Sequence, residues 1–418
     1  MEHRASFSGL CISGFLAKCS YALARTPVLA LFAFSFGVGP EAIGFAVAIS
    51  TITGIFFKMP AGVISDIIGR RRTMLTGLLF FAFVPFAYLV VSSFEALLVV
   101  RFLHGFATAI YGPVIMAVIV DTAGSKRGEM LSWFSSITII GNLIGAPLGG
   151  FLLTMLSGEG QPQLSHFHLI YGVVAALGMV ALMTGILASR GLAAPLPQKS
   201  ENKTVSGVVR HFYKSVREIL MDRRIMATSN MEGVQNLSVG ALEAFMPIYV
   251  VMVLGYSEFQ AGLLWAVQIF ATILSKPIMG KISDRHGRRP LLFWGMFVCA
   301  LPFIMIPWVQ SFPILLGMAA IFGLGEAIVT SSAAAMVADY CRQDNIGSAM
   351  GVFGTLYDVG HASGPILAGI LIGLSNGQDF RIAFAIIGAI LIVSAFVFKI
   401  TVPVKKESTF SPIAEDPL

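Results

Sequence analysis

Nine ionisable side chains interrupt otherwise apolar stretches of this chain: Lys18, Arg25, Lys58, Arg101, Glu232, Glu243, Lys276, Glu326 and Asp358. A charge held away from water needs an opposite charge, hydrogen bonds or a task. Asp358 lies one helical turn before His361, with Tyr357 adjacent. A desolvated carboxylate can load and unload a proton, so Asp358 with His361 leads the proton-site candidates, followed by Glu326 and Glu243. Carboxylates that only hydrogen-bond between helices would show the same pattern. Glu232, Gln235, Asn236 and Glu243 fall on one helical face, the pattern of a polar stripe turned toward a cavity.

Elsewhere the chain offers little for catalysis. No metal-ligand cluster, nucleophile elbow or phosphate-cradling glycine loop occurs. The chain is therefore expected to be no enzyme, with no cofactor and no metal. Cys11, Cys19, Cys299 and Cys341 are too scattered for a metal or redox pair and read as small buried hydrophobes. A nucleotide-driven pump is disfavoured on the same grounds.

The elements that must position these residues are membrane spans. Of 418 residues, 56% are hydrophobic and 12% charged, and the mean hydropathy is +0.82. Soluble domains carry roughly a quarter charged residues. Apolar runs fall near 8–36, 42–67, 73–92, 96–120, 130–156, 167–189, 226–253, 258–282, 291–309, 312–338, 347–374 and 379–402. Each is long enough to cross roughly 30 Å of hydrocarbon. Arg4 precedes the first run as in a leader peptide, but the run continues without a clear cleavage site, so a retained first helix is expected.

One set of loops holds Arg70, Arg71, Arg72, Lys126, Arg127, Arg285, Arg288, Arg289, Arg342, Lys405 and Lys406, while the opposite turns carry no Lys or Arg. The basic side, with both termini, is expected to face the cytoplasm, and the short outer loops suit a bacterial inner membrane. The net charge of +6 is thus a topology signal and not one for nucleic acid. The expected organisation is a six-helix bundle over 1–190, a linker over 191–225, a second bundle over 226–404 and a tail over 405–418. In the linker, Val205, Val208, Val209, Phe212, Val216, Ile219 and Leu220 recur at helical spacing. Arg210, Lys214 and Arg217 lie off that stripe, as in a helix lying on a membrane surface.

The two halves repeat at a single offset of 218 residues. It carries Asp66 onto Asp284, Lys58 onto Lys276, Gly105 onto Gly323, Asp121 onto Asp339 and Pro147 onto Pro365. Six spans per half start both copies on the same side, so the repeats are parallel and should enclose a central cavity. The expected fold is all-α: twelve transmembrane helices in two six-helix parallel-repeat bundles.

Gly62-Val-Ile-Ser-Asp66-Ile-Ile-Gly69-Arg70-Arg71 resembles the loop signature of the major facilitator superfamily, and Gly280-Lys-Ile-Ser-Asp284-Arg-His-Gly287-Arg288-Arg289 is its second copy. The glycines allow close packing and a tight turn. Asp66 can accept from N–H groups at a neighbouring helix start, and the arginines can pair with Asp121 or Asp339. The resemblance implies a gating latch on the cytoplasmic side; a topology anchor is the simpler alternative. Leu97-x-x-x-Arg101-x-x-His104-Gly105-x-Ala107 resembles the family's proton-coupling motif, with His104 in place of the usual glutamine. Gly141-x-x-x-Gly145-Ala146-Pro147 resembles the antiporter motif of drug–proton exchangers, with proline one place late.

The repeat pairs Lys18 with Asn236 and Arg25 with Glu243. These are either a gate or structural pairs. Lys58 and Lys276 are expected to face each other across the cavity and receive an anionic group, unless they snorkel to the interface. Asn142 and Tyr357 complete the substrate set of Lys18, Arg25, Lys58, Glu232, Gln235, Asn236 and Lys276. The expected activity is proton-coupled export of small amphipathic compounds by a monomer working through alternating access in the lipid bilayer. Import or exchange of an organic anion or metal chelate, or a non-transporting sensor, are the alternatives.

Overall fold

The computed structural model describes residues 6–123, 126–158, 160–192, 216–341, 346–375 and 379–402. Among these residues the chain forms twelve long helices and no strands. The first half contains α1 (Phe7–Ser35), α2 (Pro40–Ile68), α3 (Arg70–Val90), α4 (Phe94–Thr122), α5 (Arg127–Ser157) and α6 (Leu164–Ala188). The second contains α7 (Arg223–Val253), α8 (Glu258–His286), α9 (Arg288–Trp308), α10 (Phe312–Tyr340), α11 (Ile346–Gly373) and α12 (Phe380–Thr401). Eleven are long and apolar enough to cross a bilayer. The other, α11, is 28 residues long and carries Asp358 and His361.

Local chemistry sets the boundaries. α1 breaks between Arg25 and Val28, at Thr26–Pro27, because proline has no N–H to carry the helix on. α4 starts at Ser93, whose hydroxyl accepts from the Ala96 N–H at 3.2 Å. α8 starts in a capping box of Ser257 and Gln260. Asp222 caps α7, accepting from the Arg224 and Ile225 N–H groups. Its partial burial pushes the carboxyl pKa up, but the hydrogen bonds from Arg224 outweigh this and hold it below the ordinary aspartate value. Gly69 and Gly287 take φ of 104° and 91°, a region closed to most side chains, and this turns α2 into α3 and α8 into α9.

The repeat extends to the helix ends. α2 and α8, α3 and α9, and α4 and α10 each start and stop 218 residues apart. α1–α6 pack as one bundle and α7–α12 as the other. The seam between them is made mainly by α2 against α11 and α5 against α8, with the later part of α1 against α7. The amphipathic linker helix falls mostly outside the described residues, with Val205, Val208, Val209, Arg210, Phe212 and Lys214. Residues 216–221 are helical, with Ile219 buried and Leu220 exposed.

Small residues determine how closely the helices approach. Gly141, Gly145 and Gly149 lie against the α1 carbonyls of Phe15, Cys19 and Leu23. Gly360 and Gly364 lie against the α7 carbonyls of Gly233 and Leu237. At the short-loop end, Gly44 meets the Pro365 carbonyl, Gly369 the Pro40 carbonyl and Gly150 the Glu258 carbonyl, all across the seam. Gly62 and Gly280 behave differently from the sequence expectation: a Cβ on either would meet nothing within 4 Å, so in this conformation neither permits close packing. Gly360→Ala should therefore destabilise the protein by about 1–3 kcal/mol through overpacking. Gly62→Ala, in open helical space, should be neutral or stabilise by up to about 1 kcal/mol. Thermal unfolding in detergent tests the pair, and equal losses would refute the contrast.

Candidate functional site

Three residue groups cross the seam by hydrogen bond or ion pair among the described residues: one near mid-depth, one nearer the short-loop end and one at that end. On α2, Lys58 Nζ meets Asp358 of α11 at 2.8 and 2.5 Å. On α1, the Arg25 guanidinium pairs with Glu243 of α7, whose other oxygen lies 3.3 Å from His361 Nε2. At the short-loop end, Thr154 Oγ1 donates to Glu258 at 2.8 Å and accepts from the Phe259 N–H at 3.0 Å. Glu243 is 2% exposed, whereas the Lys58 side chain is 42% exposed. Toward the basic end no such bond crosses the seam among the described residues. Among the described residues the halves are thus bonded across the seam at one end and not at the other.

Two expectations change here. Asp358 and His361 do not form one unit: Asp358 binds Lys58, and His361 binds Glu243 while stacking on Tyr357 at 6.1 Å. One helical turn separates Asp358 and His361, but each meets a different neighbour. Lys58 and Lys276 do not face each other as a bare pair either, because Asp358 takes Lys58.

Between the seam helices lies a cavity of about 320 Å³. Arg25, Asn142, Glu243, Lys276, Tyr357 and His361 line it, as do Tyr21, Trp265, Gln268, Thr272 and Glu326. Glu326 accepts from Gln268 at 3.1 Å and from Thr272 at 3.2 Å. Lys276 and Lys18 have no ion pair among the described residues, and Lys18 is half-buried on α1 outside this lining. Glu232, Gln235 and Asn236 depart from their expected place. They are 0–1% exposed and bond to one another: Asn236 donates to Glu232 at 3.3 Å and to Gln235 at 3.1 Å. The stripe on α7 is real as a helical face, but this part of it turns into the C-terminal bundle. Only Glu243 reaches the cavity.

Arg101 was expected to need an anionic or carbonyl partner. It is fully buried and finds a hydroxyl, donating to Ser50 Oγ at 2.7 Å, which also accepts from Tyr21 at 3.2 Å. Tyr88 and His104 share a 3.2 Å hydrogen bond, and Tyr88 stacks on Tyr171 at 3.9 Å. Among the described residues, Arg101 Nε and Nη1 have no hydrogen-bond partner and no carboxylate forms an ion pair with Arg101, so its charge rests among hydroxyls and aromatic rings.

Both latches lie within their own halves. Arg70 joins Asp66 at 2.6 Å and Asp121 at 3.1 Å, and Arg288 joins Asp284 at 3.3 Å and Asp339 at 2.9 Å. Asp66 thus meets a side chain rather than the N–H groups of a neighbouring helix. Arg71 donates to Ser189 at 3.3 Å, and Arg289 to the Lys399 carbonyl at 2.5 Å.

Sequence reasoning missed Ser50, Gln268, Tyr21, Trp265 and the Thr154–Glu258 bridge. Ser50 and Gln268 carry a usable signal, since they are repeat mates on α2 and α8 and both bind a charged group on the fourth helix of their half.

Two parallel bundles closed at one end around a polar cavity define a membrane transporter of the alternating-access class. The profile of the Major Facilitator Superfamily matches residues 10–270 and, in a second match, 233–417, and the chain belongs to that family. An uncharacterised MFS-type transporter of Methanocaldococcus jannaschii is 24% identical, over 87% of this chain and 92% of its own. The D-arabinitol transporter of Klebsiella pneumoniae is 22% identical, over 83% and 82%. The multidrug transporter MdfA of Edwardsiella ictaluri is 24% identical, over 62% and 60%. Among solved structures, a mutant of the nucleoside transporter NupG aligns with a TM-score of 0.77 at 16% identity, over 94% of this chain and 99% of its own.

The Arg25–Glu243 pair makes a sharp prediction. Glu243→Leu leaves a half-buried arginine without its ion pair and should cost about 3 kcal/mol, whereas Arg25→Met with Glu243→Leu should recover most of it. Unfolding in mild detergent measures both. A double variant as unstable as the single would show that the pair is not the unit.

Proposed function

We propose that the protein is a proton-coupled secondary transporter that exports small amphipathic compounds by alternating access. The observation that carries the reading is the Lys58–Asp358 pair across the seam. Protonating Asp358 removes the charge that holds α11 to α2, so a proton entering from the open end loosens the contact between the halves. Glu243, with His361 and Arg25, forms a second such pair nearer the closed end, and Glu326 offers a further carboxylate on the cavity wall. Arg101 tunes this region through Ser50 and Tyr21.

The substrate would sit in the central cavity. Its Trp265, Tyr21 and Tyr357 rings suit an amphipathic body, and Asn142, Gln268 and Glu326 give polar contacts. Similarity to a multidrug transporter supports export. With the basic loops placed in the cytoplasm, the end without bonds across the seam would be the one open to the cytoplasm. Asp66, Arg70, Asp121 and their counterparts Asp284, Arg288 and Asp339 would act as latches that stiffen each half while the bundles rock. The chain would work as a monomer in the inner membrane.

One observation favours a second reading. Lys18 and Lys276 are cations at membrane depth without an ion pair among the described residues, which fits a small organic anion as substrate.

Proteoliposomes under an imposed proton gradient, tested with hydrophobic dyes and with organic anions, separate the readings. Gradient-driven dye flux that falls to background in Asp358→Asn is the expected result. Anion flux without dye flux, lost in Lys276→Gln, would overturn the export reading. No flux of either kind would point to a non-transporting role.

A further inference from the structure

A larger cavity, of about 1120 Å³, lies at the basic end of the C-terminal bundle, remote from the central one. The α8–α9 turn, the end of α10 and the last turns of α12 form its walls. Its acids are already matched, since Arg288 binds both Asp284 and Asp339. Two cations remain. Arg289 uses one terminal nitrogen on the Lys399 carbonyl, while its Nε is buried with no partner. Lys399 is exposed and has no ion pair among the described residues, and its Nζ lies 5.1 Å from the centre of the Phe293 ring.

The repeat separates what the latch requires from what has been added. Asp284, Gly287, Arg288, Arg289 and Asp339 all have identical mates in the first half. Ser283 matches Ser65 as well, but the remaining residues of the cavity wall have no identical mate. His286, Phe293, Trp294 and Tyr340 correspond to Ile68, Leu75, Thr76 and Thr122. The last turn of α12 carries Lys399, whereas the last turn of α6 carries no basic residue. A latch alone therefore explains neither the aromatic wall nor the second cation.

The wall continues along the outside of the bundle. Trp294 is 62% exposed and lies 5.5 Å from the Phe297 ring. Phe396 of α12 packs on both Phe293 and Phe297, at 5.6 and 5.9 Å. Leu301 on α9 and Val397 and Ile400 on α12 are also exposed. Two unmatched cations thus sit above an apolar face that runs into the hydrocarbon. A free phosphate would have no use for that face, and a neutral lipid none for the cations. We propose that this cavity binds an anionic phospholipid of the basic-side leaflet. Its phosphate lies between Arg289 and Lys399, Trp294 sits at the headgroup boundary, and the acyl chains follow α9 and α12.

The test reads Trp294 directly. The full-length protein, with Trp133, Trp265 and Trp308 replaced by Phe, is reconstituted with trace brominated lipid in unlabelled phosphatidylcholine. Brominated phosphatidylglycerol should quench Trp294 at a roughly tenfold lower mole fraction than brominated phosphatidylcholine, the size expected of one or two basic groups near an anionic headgroup. Lys399→Gln should erase that preference and Lys399→Arg should retain it, which separates loss of the site from loss of the fold. Equal quenching by the two lipids would overturn the proposal. Displacement of the brominated lipid by millimolar inorganic phosphate alone would overturn it too, by reducing the site to one for a free anion.

Discussion

The architecture depends on charge held inside hydrocarbon and on how the two halves share it. At membrane depth the first half carries Lys18, Arg25, Lys58 and Arg101 and no acid, while the second carries Glu232, Glu243, Glu326 and Asp358 against Lys276 alone. Neither half can neutralise itself. Two acids of the second half are matched by bases of the first, and both matches lie on the seam. Hydrocarbon makes a lost partner expensive, so any change in the ionisation of Asp358 or Glu243 is felt between the bundles rather than within one. A charge pair inside one bundle would leave the seam indifferent to protons.

The repeat shows where function departs from scaffold. Helix ends, turn glycines and latch arginines recur at one offset, which is what a stable six-helix unit requires of each copy. Lys58 and Lys276 apart, the central charged residues do not recur. Arg101 faces an alanine mate at 319, Lys18 an asparagine at 236 and Arg25 a glutamate at 243. Glu326 is matched by Thr108. A site built only from repeated residues would present the same chemistry from both sides, and most of the polar groups of this cavity stand where the copies diverge.

Much of the scaffold was legible because its signals are one-dimensional. Span length, loop charge and a gap-free offset need no knowledge of neighbours, and twelve helices with matched ends follow from them. Residue partnerships were less legible. Asp358 and His361 are one turn apart, but a helix shows adjacent positions to different neighbours, and Lys58 and Glu243 claim one each. Glu232 and Glu243 share a helical face over three turns, yet α7 passes from the bundle interior to the seam along its length, so the same face ends in two environments. The surroundings of Arg101 were less legible, since Ser50, Tyr21, Tyr88 and His104 come from four helices and only Ser50 carries a repeat signal. The Arg25–Glu243 partnership was readable because repeat mates on facing helices occupy equivalent depths.

Closure at one end rests on a different force from the pairing at mid-depth. At the short-loop end Gly44, Gly150 and Gly369 bring backbone against backbone, a contact of short range that is lost after a small separation. The ion pairs at Lys58 and Arg25 act over a longer distance and weaken gradually. Rocking the halves apart at the closed end would therefore break the glycine contacts early, while the charge pairs still pull across the middle. That ordering places the fulcrum near the charged residues, beside the cavity. Under the proposed function, a substrate or proton that altered those charges would act at the hinge, where a small change in attraction governs the largest movement of the ends.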